Sequence, residues 1–151
     1  MDDVEVVSIK SDSISIINTT IPSLPKGLNN LRGTTLPDHD LLVSGGYTGS
    51  VRNDEYLRFD QASNQWKKVG TMKMARHYHS SVLLNGGLYS IGGNLGIGLY
   101  SHHEVFNLDG RVEEKKELPI ALSGHTANKL YENKYMVIGG RDKNVSKKIQ
   151  I

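Results

Sequence analysis

One shape returns three times along the chain: LLVSGG at 41–46, LYSIGG at 88–93 and YMVIGG at 135–140. Gly45 to Gly92 is 47 residues, and Gly92 to Gly139 is 47 again. A short apolar run closed by two glycines is common, but three at one spacing form a repeat. Such a chain folds as a series of like units, so the unit decides the fold.

The unit reads as four short strands. In 79–116, HSSVLL is a β-branched and apolar run, and Asn85-Gly86 supplies the signal of a tight hairpin. LYSIGG returns as the second strand, and a polar, glycine-rich loop NLGIGLYSH (94–102) follows. EVFNL (104–108) makes a third strand, DGR turns, and VEEKKEL makes a fourth. The unit before it repeats the order. TTLPDHDLLVSGG is a hairpin, YTGSVRN a loop, EYLRFD the third strand and QWKKV the fourth, after the turn QASN. Phe59 and Phe106, both in third strands, are again 47 apart. Leu24-Pro25 and Leu118-Pro119, which close two fourth strands, are 94 apart, twice the period. Four strands in a unit of this length predict a β-propeller blade. The double glycine then ends the strand nearest the axis, where the chain turns through angles that a Cβ obstructs. Phe59, Phe106 and Trp66 are expected as core between adjacent blades.

The expected class is therefore all-β, built of four-stranded antiparallel sheets as propeller blades. The predicted division is 1–31 as the end of a blade, 32–78 and 79–124 as full blades, and 125–151 as the start of another. That makes about three blades, whereas closed propellers typically have about four to eight. Three readings stand: an incomplete propeller from a longer protein, half of a six-bladed ring closed by a second copy, or an unusual stand-alone fold.

Composition narrows the function classes. A formal charge of +2 is small, and the KK pairs at 67–68, 115–116 and 147–148 are scattered, so no nucleic-acid partner is expected. With no cysteine there are no disulfides, Cys-ligated metals or thiol nucleophiles, which fits a reducing, cytoplasmic setting. The opening MDDVEVVSIK lacks a signal-peptide core, and no apolar run reaches the length of a membrane helix, so neither is expected. The sequons Asn18-Thr19-Thr20 and Asn144-Val145-Ser146 read as chance matches.

Catalytic patterns are not found. His77 and His79 alternate onto one strand face, a spacing that suits a metal, but no third ligand is fixed beside them. GNLGIGLYS at 93–101 has Ser101 where a dinucleotide loop needs its third glycine, and it opens no helix. No metal, cofactor or catalytic residue is expected. What remains is a surface of loops held by rigid blades. The loops after each glycine pair, and the one entering the second full blade, carry Tyr47, Arg52, Arg76, Tyr100 and Arg141. Tyrosine and arginine dominate interface hot spots, and arginine pairs bidentately with carboxylates. An acidic peptide is the expected ligand class.

The stretch GG, loop, EYLRFDQASNQW, MKMARHYHSSVLLNGGLYSIGG resembles the Kelch repeat, with its double glycine, aromatic-Asp turn and downstream tryptophan. It is most similar to the repeats of Kelch-like adaptors that recruit substrates to cullin ubiquitin ligases. The outer units depart from the pattern: Glu113 stands 47 residues after Trp66, and the first unit has Ile and Thr where aromatics are expected. The resemblance implies that a histidine at the start of the inner strand packs structurally. It also implies that Tyr47, directly after the double glycine, and Arg76, before the next inner strand, contact a partner's peptide. A scaffold or cytoskeletal Kelch protein binding through blade faces is the alternative. A sugar-modifying enzyme is a third reading that no residue supports, and the Tyr-Cys site of galactose-oxidase-like enzymes is impossible without cysteine.

Overall fold

A computed structural model describes residues 6–10, 13–17, 21–142 and 149–150. The two sequons and residues 143–148 of the third loop region lie outside the described residues. The chain is all-β, with no helix among the described residues. Accordingly, no described helix is long and apolar enough to cross a membrane.

β1 (Val6–Lys10) and β2 (Ser13–Ile17) form an antiparallel pair. β3 (Arg32–Thr35), β4 (Leu41–Ser44), β5 (Glu55–Asp60) and β6 (Gln65–Thr71) make a four-stranded sheet in chain order. β7 (Ser80–Leu84), β8 (Gly87–Ile91), β9 (His103–Asn107) and β10 (Val112–Lys115) make a second sheet of the same order. β11 (Thr126–Tyr131), β12 (Lys134–Ile138) and β13 (Ile149–Gln150) follow in a third. Every pairing is antiparallel, as expected of propeller blades. The β7–β8 hairpin closes Leu84 on Gly87, and Asn85 and Gly86 both take positive φ (51° and 75°). That is the backbone an Asn-Gly pair adopts in a two-residue turn.

The core lies between sheets and not within one. Leu36, Leu42, Tyr56 and Met72 of the first sheet region bury against Leu88 and Phe106 of the second. The Phe106 ring stacks on Tyr56 at 4.4 Å and lies over Gly70, where a Cβ would come 2.6 Å from the ring. Between the second and third sheets, Val82, Ile91, Leu122 and Val137 form the equivalent cluster, flanked by Tyr89 and Tyr135. Each such buried side chain contributes roughly 1.5–3 kcal/mol. Trp66 lies beside Phe59 at 5.4 Å and donates its indole N–H to Pro22 O at 2.9 Å, joining the first sheet to the segment before it.

The glycine pair has two jobs. Gly45 and Gly92 take φ of 61° and 59°, and Gly46 and Gly93 take 105° and 106°, values open to glycine at little cost. A Cβ on Gly45 would also sit 2.5 Å from Arg76 O, and one on Gly92 would sit 2.6 Å from Leu122 O. The amide of the second glycine donates to those same carbonyls: Gly46 N to Arg76 O at 2.9 Å, and Gly93 N to Leu122 O at 2.8 Å. The pair therefore turns its own sheet and closes the seam to the next.

Candidate partner-binding loop face

The loops after the glycine pairs share one geometry. The residue that follows each pair bridges back to the entry of its own sheet: Tyr47 to Asn29, Asn94 to His77, and Arg141 to Ser123. The first two loops then close on themselves, Tyr47 with Arg52 and Asn94 with Leu99. Their tips are tight turns, Thr48 N to Val51 O at 2.9 Å and Leu95 N to Gly98 O at 3.2 Å. The Thr48 hydroxyl accepts from Val51 N and the Asn94 carboxamide oxygen accepts from Gly96 N, so the tips are held by their own side chains. Val51 and Ile97 are exposed at these tips, Ile97 almost completely.

The five residues singled out from the sequence do not form one row. Tyr47 is half-buried, stacked on His77 at 5.2 Å, with the Arg52 guanidinium 5.9 Å from its ring centre. Arg52 crosses from the first loop to the second and rests against Gly96, whose lack of a side chain makes the room. Its Nε is buried with no hydrogen-bond partner. Arg141 is exposed and forms no ion pair among the described residues. Tyr100 is half-buried, 5.8 Å above the Arg76 guanidinium.

Arg76 is the correction. It was expected on the contact surface, and the structure places it beneath that surface with 0% of its area exposed. Nε donates to Met74 O, and Nη1 donates to both Gly92 O and His102 O, all at 3.1 Å. Nη2 pairs with Glu104 Oε2 at 3.1 Å, itself fully buried. Glu104 also accepts from the Tyr56 hydroxyl at 2.9 Å and from Lys73 N at 3.2 Å. Burial and the Glu104 charge push the Tyr56 phenol up. Burial draws the Arg76 guanidinium down and Glu104 opposes that; guanidinium stays charged in proteins. This network joins the first two sheets, and no part of the Arg76 side chain is exposed to a partner.

The histidines divide in the same way. His79 is buried with Nε2 3.1 Å from Ser44 Oγ, and desolvation, with Arg76 nearby, holds its pKa well below the usual value. His125 takes the equivalent place at the next seam, and burial brings it to about 4. His77, two residues from His79, instead packs between the rings of Tyr47 and Tyr78.

A cleft of about 1170 Å³ opens between the second loop and the entry to the third sheet. Tyr78, Leu99, Ile120, Ala121, Ser123 and Arg141 line it. Tyr78 was missed from the sequence, as was Glu104. Aligning the sheet entries finds Tyr78: Asn30 and Gly124 hold its place in the neighbouring units and share its positive φ.

The fold and this loop face define a class, a propeller-blade protein whose loops are offered by rigid sheets. Comparisons with known proteins make it a relative of the Kelch-repeat proteins. It is 43% identical over 54 residues to Kelch-like protein 21 of Danio rerio, a match covering 36% of this chain and 9% of that protein. Kelch-like protein 35 of Mus musculus is 34% identical over 75 residues, 50% of this chain and 12% of that protein. Kelch repeat-containing protein kel-10 of Caenorhabditis elegans is 24% identical over 148 residues, 92% of this chain and 25% of that protein. The chain thus corresponds to a quarter or less of the length of these relatives. No protein-family profile matches it.

Proposed function

We propose that the chain is a protein-interaction module without catalysis of its own, and that it binds a peptide of a partner protein on its loop face. The observation that carries this reading is the cleft of about 1170 Å³ with the exposed Arg141 at its rim, held by loops bonded into two rigid sheets. Kinship with Kelch-like proteins supports the same class. Tyr47, Arg52, Tyr100 and Arg141 remain the contacts proposed from the sequence, with Arg76 as the support beneath them. An acidic group on the peptide suits Arg141. Delivery of the bound protein to a cullin ubiquitin ligase in the cytoplasm is the setting that the resemblance offers.

The test is selection of a displayed library of random peptides on the immobilised chain. Arg141→Glu should reduce binding of the selected peptides at least tenfold, while Lys67→Glu on the exposed outer strand β6 should leave it unchanged. The opposite pattern would favour the scaffold reading, which the exposed outer strands β6 and β10 support. Co-sedimentation with filamentous actin probes that reading directly.

The assembly is part of the proposal. Gly45 and Gly92 face the next unit, whereas nothing described lies within 4 Å of a Cβ on Gly139. We infer that this face is covered in the working protein, by a further blade or by a second copy in a six-bladed ring. Light scattering tells the two apart: a mass twice 16.7 kDa for this chain supports the ring, and a monomer rejects it.

A further inference from the structure

We infer that Tyr78 is the anchor of the loop-face cleft, and that its ligand is a peptide segment presenting one apolar side chain to the Tyr78 ring and one carboxylate to Arg141. This deepens the loop-face reading above and rests on it.

The backbone speaks first. Tyr78 has φ of 54°, in the left-handed region, where a bulky side chain is a true outlier. Left-handed backbone costs a residue with a Cβ roughly 1–2 kcal/mol. The equivalent residues are Asn30 at 52° and Gly124 at 64°, types that bear this conformation easily. Hydrogen bonds tie the three positions together: Tyr78 N donates to Asn30 O at 3.3 Å, and Gly124 N donates to Tyr78 O at 2.8 Å. The ladder at the sheet entries thus imposes the conformation, whatever the side chain. Asparagine or glycine would serve the fold better, so the fold does not explain the tyrosine.

The ring is not spent on the core either. Tyr78 is 43% exposed, among the few large apolar residues so placed. The ring lies tilted against His77 at 4.8 Å, and His77 is stacked on Tyr47 at 5.2 Å. This pile of three rings holds Tyr78 at the cleft wall before any ligand arrives. Preorganised aromatic surface binds with little loss of side-chain freedom. Outliers of this kind gather at binding sites, where the surrounding structure sustains them.

The rest of the lining selects the ligand. Leu99, Ile120 and Ala121 add apolar wall, and Arg141 stands on the rim. Asp142 lines the cleft beside it. A single carboxylate beside an apolar residue fits the wall and Arg141.

The experiment uses random 12-residue peptides displayed on phage and selected on the chain. Enriched peptides are labelled, and their affinity is read by fluorescence polarisation on wild type, Tyr78→Gly, Tyr78→Phe and Arg141→Ala. The expected peptides carry an aliphatic, proline or aromatic residue near one Asp or Glu. Tyr78→Gly should weaken them at least tenfold and raise the melting temperature, and Tyr78→Phe should keep their affinity. Peptides that bind Tyr78→Gly unchanged but lose affinity on Arg141→Ala would overturn this inference and leave the loop-face reading standing. A lower melting temperature for Tyr78→Gly would also overturn it, since the ring would then be structural. Failure to enrich any peptide, or binding indifferent to every loop variant, would overturn both.

Discussion

The two seams between neighbouring sheets share a backbone and differ in chemistry. At the first, the carbonyl of Arg76 receives Gly46 N; at the second, the carbonyl of Leu122 receives Gly93 N at nearly the same distance. Both side chains are completely buried. One ends in an ion pair with Glu104, and the other joins an apolar cluster with Val82, Ile91 and Val137. The glycines and their carbonyl partners thus set the geometry of a seam, and the side chain beneath is free to vary. Removing a buried ion pair from water costs several kcal/mol per ion, a cost that the attraction offsets only with good geometry and further hydrogen bonds. The pair is therefore weak evidence that the first seam is held more strongly than the second.

The largest effect should come from making the first seam resemble the second. Arg76→Leu copies Leu122 but leaves Glu104 buried without its cation. Breaking a buried pair in this way costs about 3–5 kcal/mol, read as a fall in the denaturation midpoint. Adding Glu104→Leu should restore part of the loss, because it removes the unpaired charge while the Gly92 and His102 carbonyls and Lys73 N stay without their former partners. If the single variant is harmless, the buried charge is not what distinguishes the seams. Next in size is Gly92→Ala. It meets both the left-handed φ and the Leu122 carbonyl at 2.6 Å, and overpacking with strain should cost about 3 kcal/mol.

Acid should weaken both seams through the histidines they share. His125 is neutral in the fold, with its pKa brought to about 4 by burial, against roughly 6.5 in an unfolded chain. Above pH 6.5 neither state takes the proton. Between 6.5 and 4 only the unfolded chain takes it, so stability falls as pH drops and levels off below 4. From pH 7 to 5 that amounts to about 2 kcal/mol, with His79 acting in the same direction. Urea unfolding at the two pH values checks it. His125→Gln should remove the second seam's share and leave that of the first. A flat profile in the wild type would mean that these rings are not desolvated.

What could be read from the sequence was what the backbone repeats locally. The 47-residue spacing placed the strands, the Asn85-Gly86 turn and the glycine pairs, because turn chemistry and alternation act over a few residues. Arg76 was expected on the contact surface because arginine is a hot-spot residue type and the Kelch resemblance implied a contact at its position. Its burial depends on Glu104, 28 residues on, and on the carbonyls of Gly92 and His102. Tyr78 was overlooked because its importance lies in a φ value that a residue type does not state. Only the comparison with Asn30 and Gly124 reveals the mismatch.

The smallest prediction concerns the third glycine pair and separates the two jobs given to the motif. Gly139 has φ of 67°, like Gly45 and Gly92, but a Cβ there meets nothing described within 4 Å. If the first glycine served only the turn, Ala would cost the same at 92 and at 139. If it also closes a seam, Gly139→Ala should carry the left-handed cost alone, about 1 kcal/mol, well short of the loss at Gly92. Thermal melts of the two variants give the difference directly. An equal loss at both would place the whole effect in the turn. A loss at Gly139 matching Gly92, seen only at high protein concentration, would instead show that a second copy packs against that glycine.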